Sequence, residues 1–317
     1  MAMKLLNKET ADFKLNADSD LSFLLPRHLM HEFDYARTLE KGVIAETEPE
    51  FNHQYRVTLR RIRSILLLLK ANFCPFEFKL LKPHLKLLMK QTNTLRDLDV
   101  FLIDREHYLN RAPEHSDKLA SVFDVIETQQ IEALKSVRQW LASDCYLKTC
   151  VMIENSLRRA SQYEEDNAQS IVVCSNKRIL HHYKLVSNAC KGLNRKSNDS
   201  DVHQLRIECK KLRYLLEYFT PLYVPNQGHL GIQHRANVKQ LKQLQDRLGA
   251  FNDTSNQLDF FRKQQNDKQF TKPQRKAIGQ LLTLVEKDHQ TAKLAIFADL
   301  KSFKREIKSS DALAIYA

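Results

Sequence analysis

Glycine and proline are scarce. With only 6 Gly and 8 Pro in 317 residues, the chain has too few turn formers for the many hairpins of a β protein. Leu, Lys, Ala, Glu and Gln are abundant instead, so the expected fold class is all-α. No C-x-x-C pair occurs: Cys74, Cys145, Cys150, Cys174, Cys190 and Cys209 are scattered. That excludes a disulfide framework or a thiolate zinc knuckle, and reads as buried thiols in a reducing compartment. No stretch approaches the ~18 uncharged apolar residues of a membrane span. The opening MAMKLLNKETADFKL has no apolar export segment, so the expectation is a cytoplasmic protein that is neither exported nor membrane-spanning. A G-x-x-x-x-G-K-[ST] loop and the His-Asp dipeptide of a helical phosphohydrolase are also missing.

Acid is in short supply too. The 50 Lys and Arg outnumber the 38 Asp and Glu, for a formal net charge of +12 and a pI near 9.3. The partner class is therefore anionic: nucleic acid, an acidic surface or a polyphosphorylated ligand.

What the sequence does have is one phrase written twice. HQYRVTLRRIR at 53 to 63 returns as HQLRIECKKLR at 203 to 213. Helical periodicity runs through Ser22–Gly42, Asn52–Ala71, Glu77–Leu95, Arg96–Asn110, Asp117–Ala142 and Asp144–Ala160. After a polar break at 161–170 it resumes in Asn176–Gly192, Val202–Thr220, Ile232–Leu248, Asn252–Gln265, Lys272–Asp288 and Thr291–Ile307. Breaks are expected at Cys74-Pro75, Ala112-Pro113, Asn194–Ser200 and a Pro221–Gly231 loop. Laying His53 on His203 also pairs His31 with His181, and LRDLD at 95 to 99 with FNDTS at 251 to 255. The expected organisation is a tail at 1–19 and two helical repeats, 20–165 and 171–317, placed about a pseudo-twofold axis.

At about 100° per residue, His53, Arg56, Arg60 and Arg63 fall within an arc of roughly 80° on one helix face. Tyr55, Leu59, Ile62, Leu66 and Leu69 fall on the neighbouring face and anchor it. His203, Arg206, Lys210 and Arg213 repeat the stripe over an anchor of Leu205, Ile207, Leu212, Leu216 and Phe219. Arg61 and Lys211 sit at its margin. The following segments add Lys79, Lys82, Lys86 and Lys90 in the first copy and Arg235, Lys239 and Lys242 in the second, with Lys86 and Lys242 aligned. A lysine-rich helix alone is usually a solvated face. Here the stripe is mostly arginine, and it changes between copies only from Arg to Lys while neighbours differ freely, as Thr58 does from Glu208. Guanidinium forks and ammonium charges together suit phosphate oxygens.

Clustered carboxylates can hold Mg²⁺ for phosphoryl chemistry, but Asp97 and Asp99 are two apart and face opposite sides of a helix. Asp97 and its counterpart Asp253 are read as capping the helix that follows or orienting stripe arginines. His28/His31 and His181/His182 lack a completing carboxylate or thiol. No metal and no cofactor are expected.

The chain resembles the CHAD domain family. The resemblance rests on HQYRVTLRRIRSILLLLK at 53 to 70, LRDLDVFL at 95 to 102, VHQLRIECKKLRYLLEYF at 202 to 219 and LQDRLGAFND at 244 to 253. It departs from the family pattern at Thr92-Asn93-Thr94, where a small residue and Gly are usual. Relatives often carry a CYTH domain with an E-x-E-x-K strand; the nearest string here, Glu46-Thr47-Glu48-Pro49-Glu50, lacks the lysine. The resemblance implies two helical bundles of four-helix-bundle type, related by pseudo-twofold symmetry. It further implies a basic channel that binds inorganic polyphosphate without catalysis, in the cytoplasm and at polyphosphate granules, with other polyanions as competitors and no membrane. The polyphosphate-binding set is then His53, Arg56, Arg60, Arg61, Arg63 and Lys86 with His203, Arg206, Lys210, Lys211, Arg213 and Lys242. The competing readings are a nucleic-acid-binding protein using the same stripes, for which exposed stacking aromatics are short, and a metal-dependent phosphohydrolase.

Overall fold

Every regular element among the described residues is helical. The computed structural model describes residues 15–45, 48–163, 170–224, 228–308 and 313–317. Most of the expected tail, residues 164–169 of the polar break, Glu46 and Thr47, and residues 225–227 lie outside the described residues. The helices are α1 (Leu21–Ala45), α2 (Pro49–Leu68), α3 (Pro75–Gln91), α4 (Asn93–Ile103), α5 (Arg105–Arg111), α6 (Ser116–Leu141), α7 (Asp144–Ala160), α8 (Ile171–Gly192), α9 (Asp199–Tyr223), α10 (His229–Asn266) and α11 (Lys272–Lys308). None of the helices searched is long and apolar enough to cross a membrane.

Local chemistry sets the boundaries. Pro49 and Pro75 open α2 and α3 at a position where the missing N–H costs nothing. Ser143 caps α7 by accepting from the Tyr146 N–H at 3.2 Å. Asn198 and Asp201 form a capping box at the start of α9. Thr92 ends α3 and opens α4, so the chain breaks there between two helices.

The chain divides into two compact units, Met1–Arg105 with Asp124–Ile171, and Glu106–Phe123 with Val172–Ala317. The segment Glu106–Phe123, expected within the first repeat, is thus grouped with the second half.

In the first unit, α2 packs on α1 and α3, and α7 packs on the same two helices, which closes a four-helix ring. Leu29 and Phe33 of α1, Tyr55 and Leu59 of α2, Leu85 and Leu88 of α3, and Cys150 and Ile153 of α7 fill its core. Gly42 makes the α1–α2 approach possible, because a Cβ there would run into the Phe51 ring. Alanine's better helix propensity, about 1 kcal/mol, does not offset displacing a buried aromatic ring. The buried Glu77 carboxylate accepts from Arg159 Nε at 2.6 Å and Nη2 at 3.0 Å, tying the start of α3 to the end of α7.

In the second unit, α10 packs along α9 and α11. Buried His234 of α10 meets the Tyr316 hydroxyl through Nδ1 at 2.9 Å, and its ring stacks on Tyr223 with centroids 4.6 Å apart. Burial pushes the His234 pKa down to about 4, so a neutral ring sits in this network. Arg111 of α5 forms a forked ion pair with Asp288 of α11, and Tyr108 packs between Phe123 and Phe261.

Several expected breaks do not occur. The segments Ile232–Leu248 and Asn252–Gln265 are one helix, α10, because Gly249 costs only about 1 kcal/mol in a run that keeps its apolar period on both sides. Lys272–Asp288 and Thr291–Ile307 likewise merge into α11, since Asp288-His289-Gln290 contains no strong helix breaker. Pro221 lies in the last turn of α9 instead of opening a loop. The expected helix Arg96–Asn110 is instead α4 and α5, meeting at Asp104. Of the six thiols, four are buried, Cys74 is half-buried and Cys145 is exposed, contrary to the expectation of uniform burial.

Candidate anion-binding site

The anchor face of α2 is laid down as its periodicity dictates: Tyr55, Leu59, Ile62, Leu66 and Leu69 are all buried. That leaves His53, Arg56, Arg60, Arg61 and Arg63 half-buried, neither in the core nor freely solvated. Half-burial is electrostatically costly for a cation, because water is partly removed from it.

Arg56 spans from α2 to the end of α3. Its Nη1 donates to the Met89 carbonyl at 2.9 Å and to Thr92 Oγ1 at 2.9 Å. The Met89 carbonyl is available because α3 stops at Gln91 and leaves its last carbonyls without helical partners. The Thr92-Asn93-Thr94 departure from the usual family turn therefore supplies an arginine tether. Arg63 Nη1 approaches the Met89 sulfur at 3.1 Å. Arg60 stands between them on the stripe, and its Nε is buried without a hydrogen-bond partner among the described residues.

Arg96 of α4 joins this group, and the reading of 95–99 as a carboxylate motif passed over it. It is half-buried, and its cation acts on His53 and Arg56. The His53 pKa is lowered by burial first and then by Arg96, Arg60 and Arg56, with Glu50 opposing. Burial lowers Arg56, Arg63 and Arg96 as well. Four groups that carry or can take up positive charge, His53, Arg56, Arg60 and Arg96, thus press on one another.

The two aspartates of α4 do different work. Asp97 is exposed and electrostatically supports Arg56 and Arg96, as an orienting residue would. It lies inside α4, so it caps nothing. Asp99 is buried and accepts from Asn52 Nδ2 at 3.2 Å and Gln130 Nε2 at 3.0 Å. The expectation that Asp97 and Asp99 face apart holds. Asp253 falls mid-way along the unbroken α10 and cannot cap a following helix.

The second stripe is built differently. On α9, Leu205, Leu212, Leu216 and Phe219 are buried, while Ile207 is half-buried. Arg206, Lys210, Lys211 and Arg213 are half-buried, and His203 is exposed, unlike His53. Lys211 donates to Glu208 at 2.9 Å, and Gln204 donates to the same carboxylate oxygen at 2.9 Å. Arg213 pairs with Glu217 at 2.7 Å and lies 5.2 Å from the Tyr214 ring. The position paired with Arg96 is Asn252, so this stripe also lacks the additional arginine.

Lys86 of α3 and Lys242 of α10 are exposed and make no ion pair among the described residues. His182 is pushed down to about 4, chiefly by burial. The described residues contain no group of three His, Cys, Asp or Glu arranged to hold a metal ion.

Comparison with known proteins bears on the fold and the family. The crystal structure of the CHAD domain from the plant Ricinus communis is similar over 91% of this chain and 94% of its own length, with a TM-score of 0.75 and 25% sequence identity. PptA from Streptomyces chartreusis shares the fold over 89% of this chain and 98% of its own, with a TM-score of 0.64 at 14% identity. No curated protein matches the chain in sequence. The CHAD domain model matches residues 27–262, three quarters of the molecule and both copies of the stripe, and so the chain belongs to the CHAD domain family.

Proposed function

We propose that the protein binds inorganic polyphosphate through the cations of the α2 and α9 stripes, without chemical turnover. The observation that carries this reading is the α2 cluster. Arg60 keeps a buried Nε without a partner among the described residues, His53 and Arg56 are disfavoured in their charged form by burial and by neighbouring cations, and Arg96 is disfavoured by burial. Such a cluster is stabilised by an anion carrying several closely spaced charges. A phosphate chain supplies acceptor oxygens at every unit, has no bases to stack, and needs no recognition helix. The family membership and the recurrence of the stripe on α9 support the same conclusion.

The test is competition at equal phosphate count. A labelled long polyphosphate bound to the protein should be displaced by unlabelled polyphosphate at concentrations at least tenfold below those required of RNA or DNA. Incubation with Mg²⁺ or Mn²⁺ should release no orthophosphate. Displacement by nucleic acid at equal or lower concentration would favour a nucleic-acid-binding protein, and steady phosphate release would make the protein an enzyme.

Binding should also depend on pH through His53. In the free protein its pKa lies below the ordinary imidazole value, and a bound polyanion raises it. Charged imidazole favours the complex, so binding takes up a proton and tightens as pH falls from about 8 to about 6. Titration calorimetry in buffers of different ionisation heat measures that uptake directly. His53→Gln should remove most of it; an unchanged uptake would assign the effect to another group.

A further inference from the structure

We propose that the first unit carries a second, oppositely charged site: a cleft that takes the ammonium head of a short aliphatic amine, for which 1,4-diaminobutane serves as the probe. The cleft, of about 260 Å³, opens between the end of α1, the start of α2, α4 and α6. Its floor is polar and its walls are apolar. Asn52 and Asp99, 3% and 2% exposed, form the floor with Gln130, while Val43, Leu95 and Leu134 form the walls and Glu48 stands exposed at the rim.

Hydrogen bonding on the floor is incomplete in one direction. Asp99 accepts from Asn52 Nδ2 at 3.2 Å and from Gln130 Nε2 at 3.0 Å. Both amides must turn their N–H groups to the carboxylate, because the opposite orientation would set oxygen against oxygen. Asn52 Oδ1 is thereby turned elsewhere, and it is buried without a partner among the described residues. What it requires is a donor. A carboxylate beneath, a second carboxylate at the rim and an unfilled amide oxygen select a cationic N–H donor, and the apolar walls select methylenes behind it. Arg96 draws electrostatically on Asp99, so Asn52 Oδ1 and Glu48 are the partners left for the incoming ammonium.

The fold itself does not require this polar floor. At the paired positions of the second copy, Asn52 becomes Val202 and Asp99 becomes Ser255. An apolar residue thus fills the place of Asn52 with the helices intact, and the buried polar pair is particular to the first unit.

The test uses 1,4-diaminobutane on the intact protein without polyphosphate, so that its outcome is independent of the anion site. Saturable binding is expected, with chemical-shift changes at the side-chain amides of Asn52 and Gln130. 1-Butanol and butyrate should bind at least tenfold more weakly. Glu48→Lys, a change at an exposed position, should weaken diamine binding at least tenfold and leave polyphosphate affinity within about twofold. Absence of saturation would mean that the cleft holds only water. Equal binding of butanol would make it a merely apolar cleft, and undiminished binding in Glu48→Lys would put the diamine elsewhere; each outcome overturns the proposal.

Discussion

Polyphosphate affinity is expected to fall by about three orders of magnitude between roughly 50 and 200 mM salt. A linear polyanion holds condensed counterions and releases them as protein cations replace them, so the log–log slope counts contacts at somewhat under one each. The stripes present Arg56, Arg60, Arg63 and Arg96 on the first unit and Arg206, Lys210 and Arg213 on the second. About six effective contacts yield the stated loss. Replacing Arg206, Lys210 and Arg213 with alanine should lower the slope by about two to three, and affinity should rise with chain length to a plateau as further cations are met. A wild-type slope near one, or equal affinity for orthophosphate and long chains, would reduce the stripes to independent small-anion contacts.

Arg60→Ala combined with Arg96→Ala should cost about 100-fold in polyphosphate affinity, because two charge-assisted contacts of about 1.5 kcal/mol each are lost. Stability should change little. Neither arginine is in the core, Arg60 carries an Nε without a hydrogen-bond partner among the described residues, and the repulsion that the pair exert on His53 and Arg56 is set against the attraction of Arg96 to Asp99, Glu50 and Asp97. Two readouts therefore separate a binding role from a structural one. The melting temperature should stay within a few degrees of the wild type, and the His53 pKa, followed by NMR, should climb as two neighbouring cations disappear. A control pair at exposed positions, Lys191→Ala with Lys196→Ala, should change affinity less than about threefold. A variant that melts early with His53 unmoved would mean that the arginines hold the fold and do not serve the ligand.

The stripe was legible because a period of 3.6 and a period of charge coincide on α2 and α9, and the anchor residues are buried almost to the letter. The bounds of α7 are those that its periodicity dictates, since Ser143 is a strong cap and Ala160 precedes a polar break. Continuity was harder to read. Gly249 and Asp288-His289-Gln290 weaken a helix without ending it, and the packed apolar face running through them decides. Arg96 escaped notice because the cations it acts with, His53, Arg56 and Arg60, are on another helix, 36 to 43 residues away in sequence. Lys211 has the right charge at the margin of the stripe, yet Glu208, three residues before it on the same helix, holds it, a pairing that the spacing itself allows.

The break between α3 and α4, set against the glutamates that α9 carries beside its own cations, makes the two stripes chemically unequal. On α2, Arg56 donates to a neutral carbonyl and hydroxyl, with exposed Asp97 supporting it electrostatically, so a phosphate that arrives there replaces neutral acceptors. On α9, Lys211 and Arg213 already hold the carboxylates of Glu208 and Glu217, so there a phosphate must substitute for an anion in place. Replacing neutral acceptors rewards any phosphate, and replacing an anion rewards only a ligand whose many charges outbid a carboxylate tethered nearby. Under the proposed function, a lone phosphate would populate the first stripe and leave the second closed by its own glutamates, and α9 would be the element that distinguishes a polymer from its monomer.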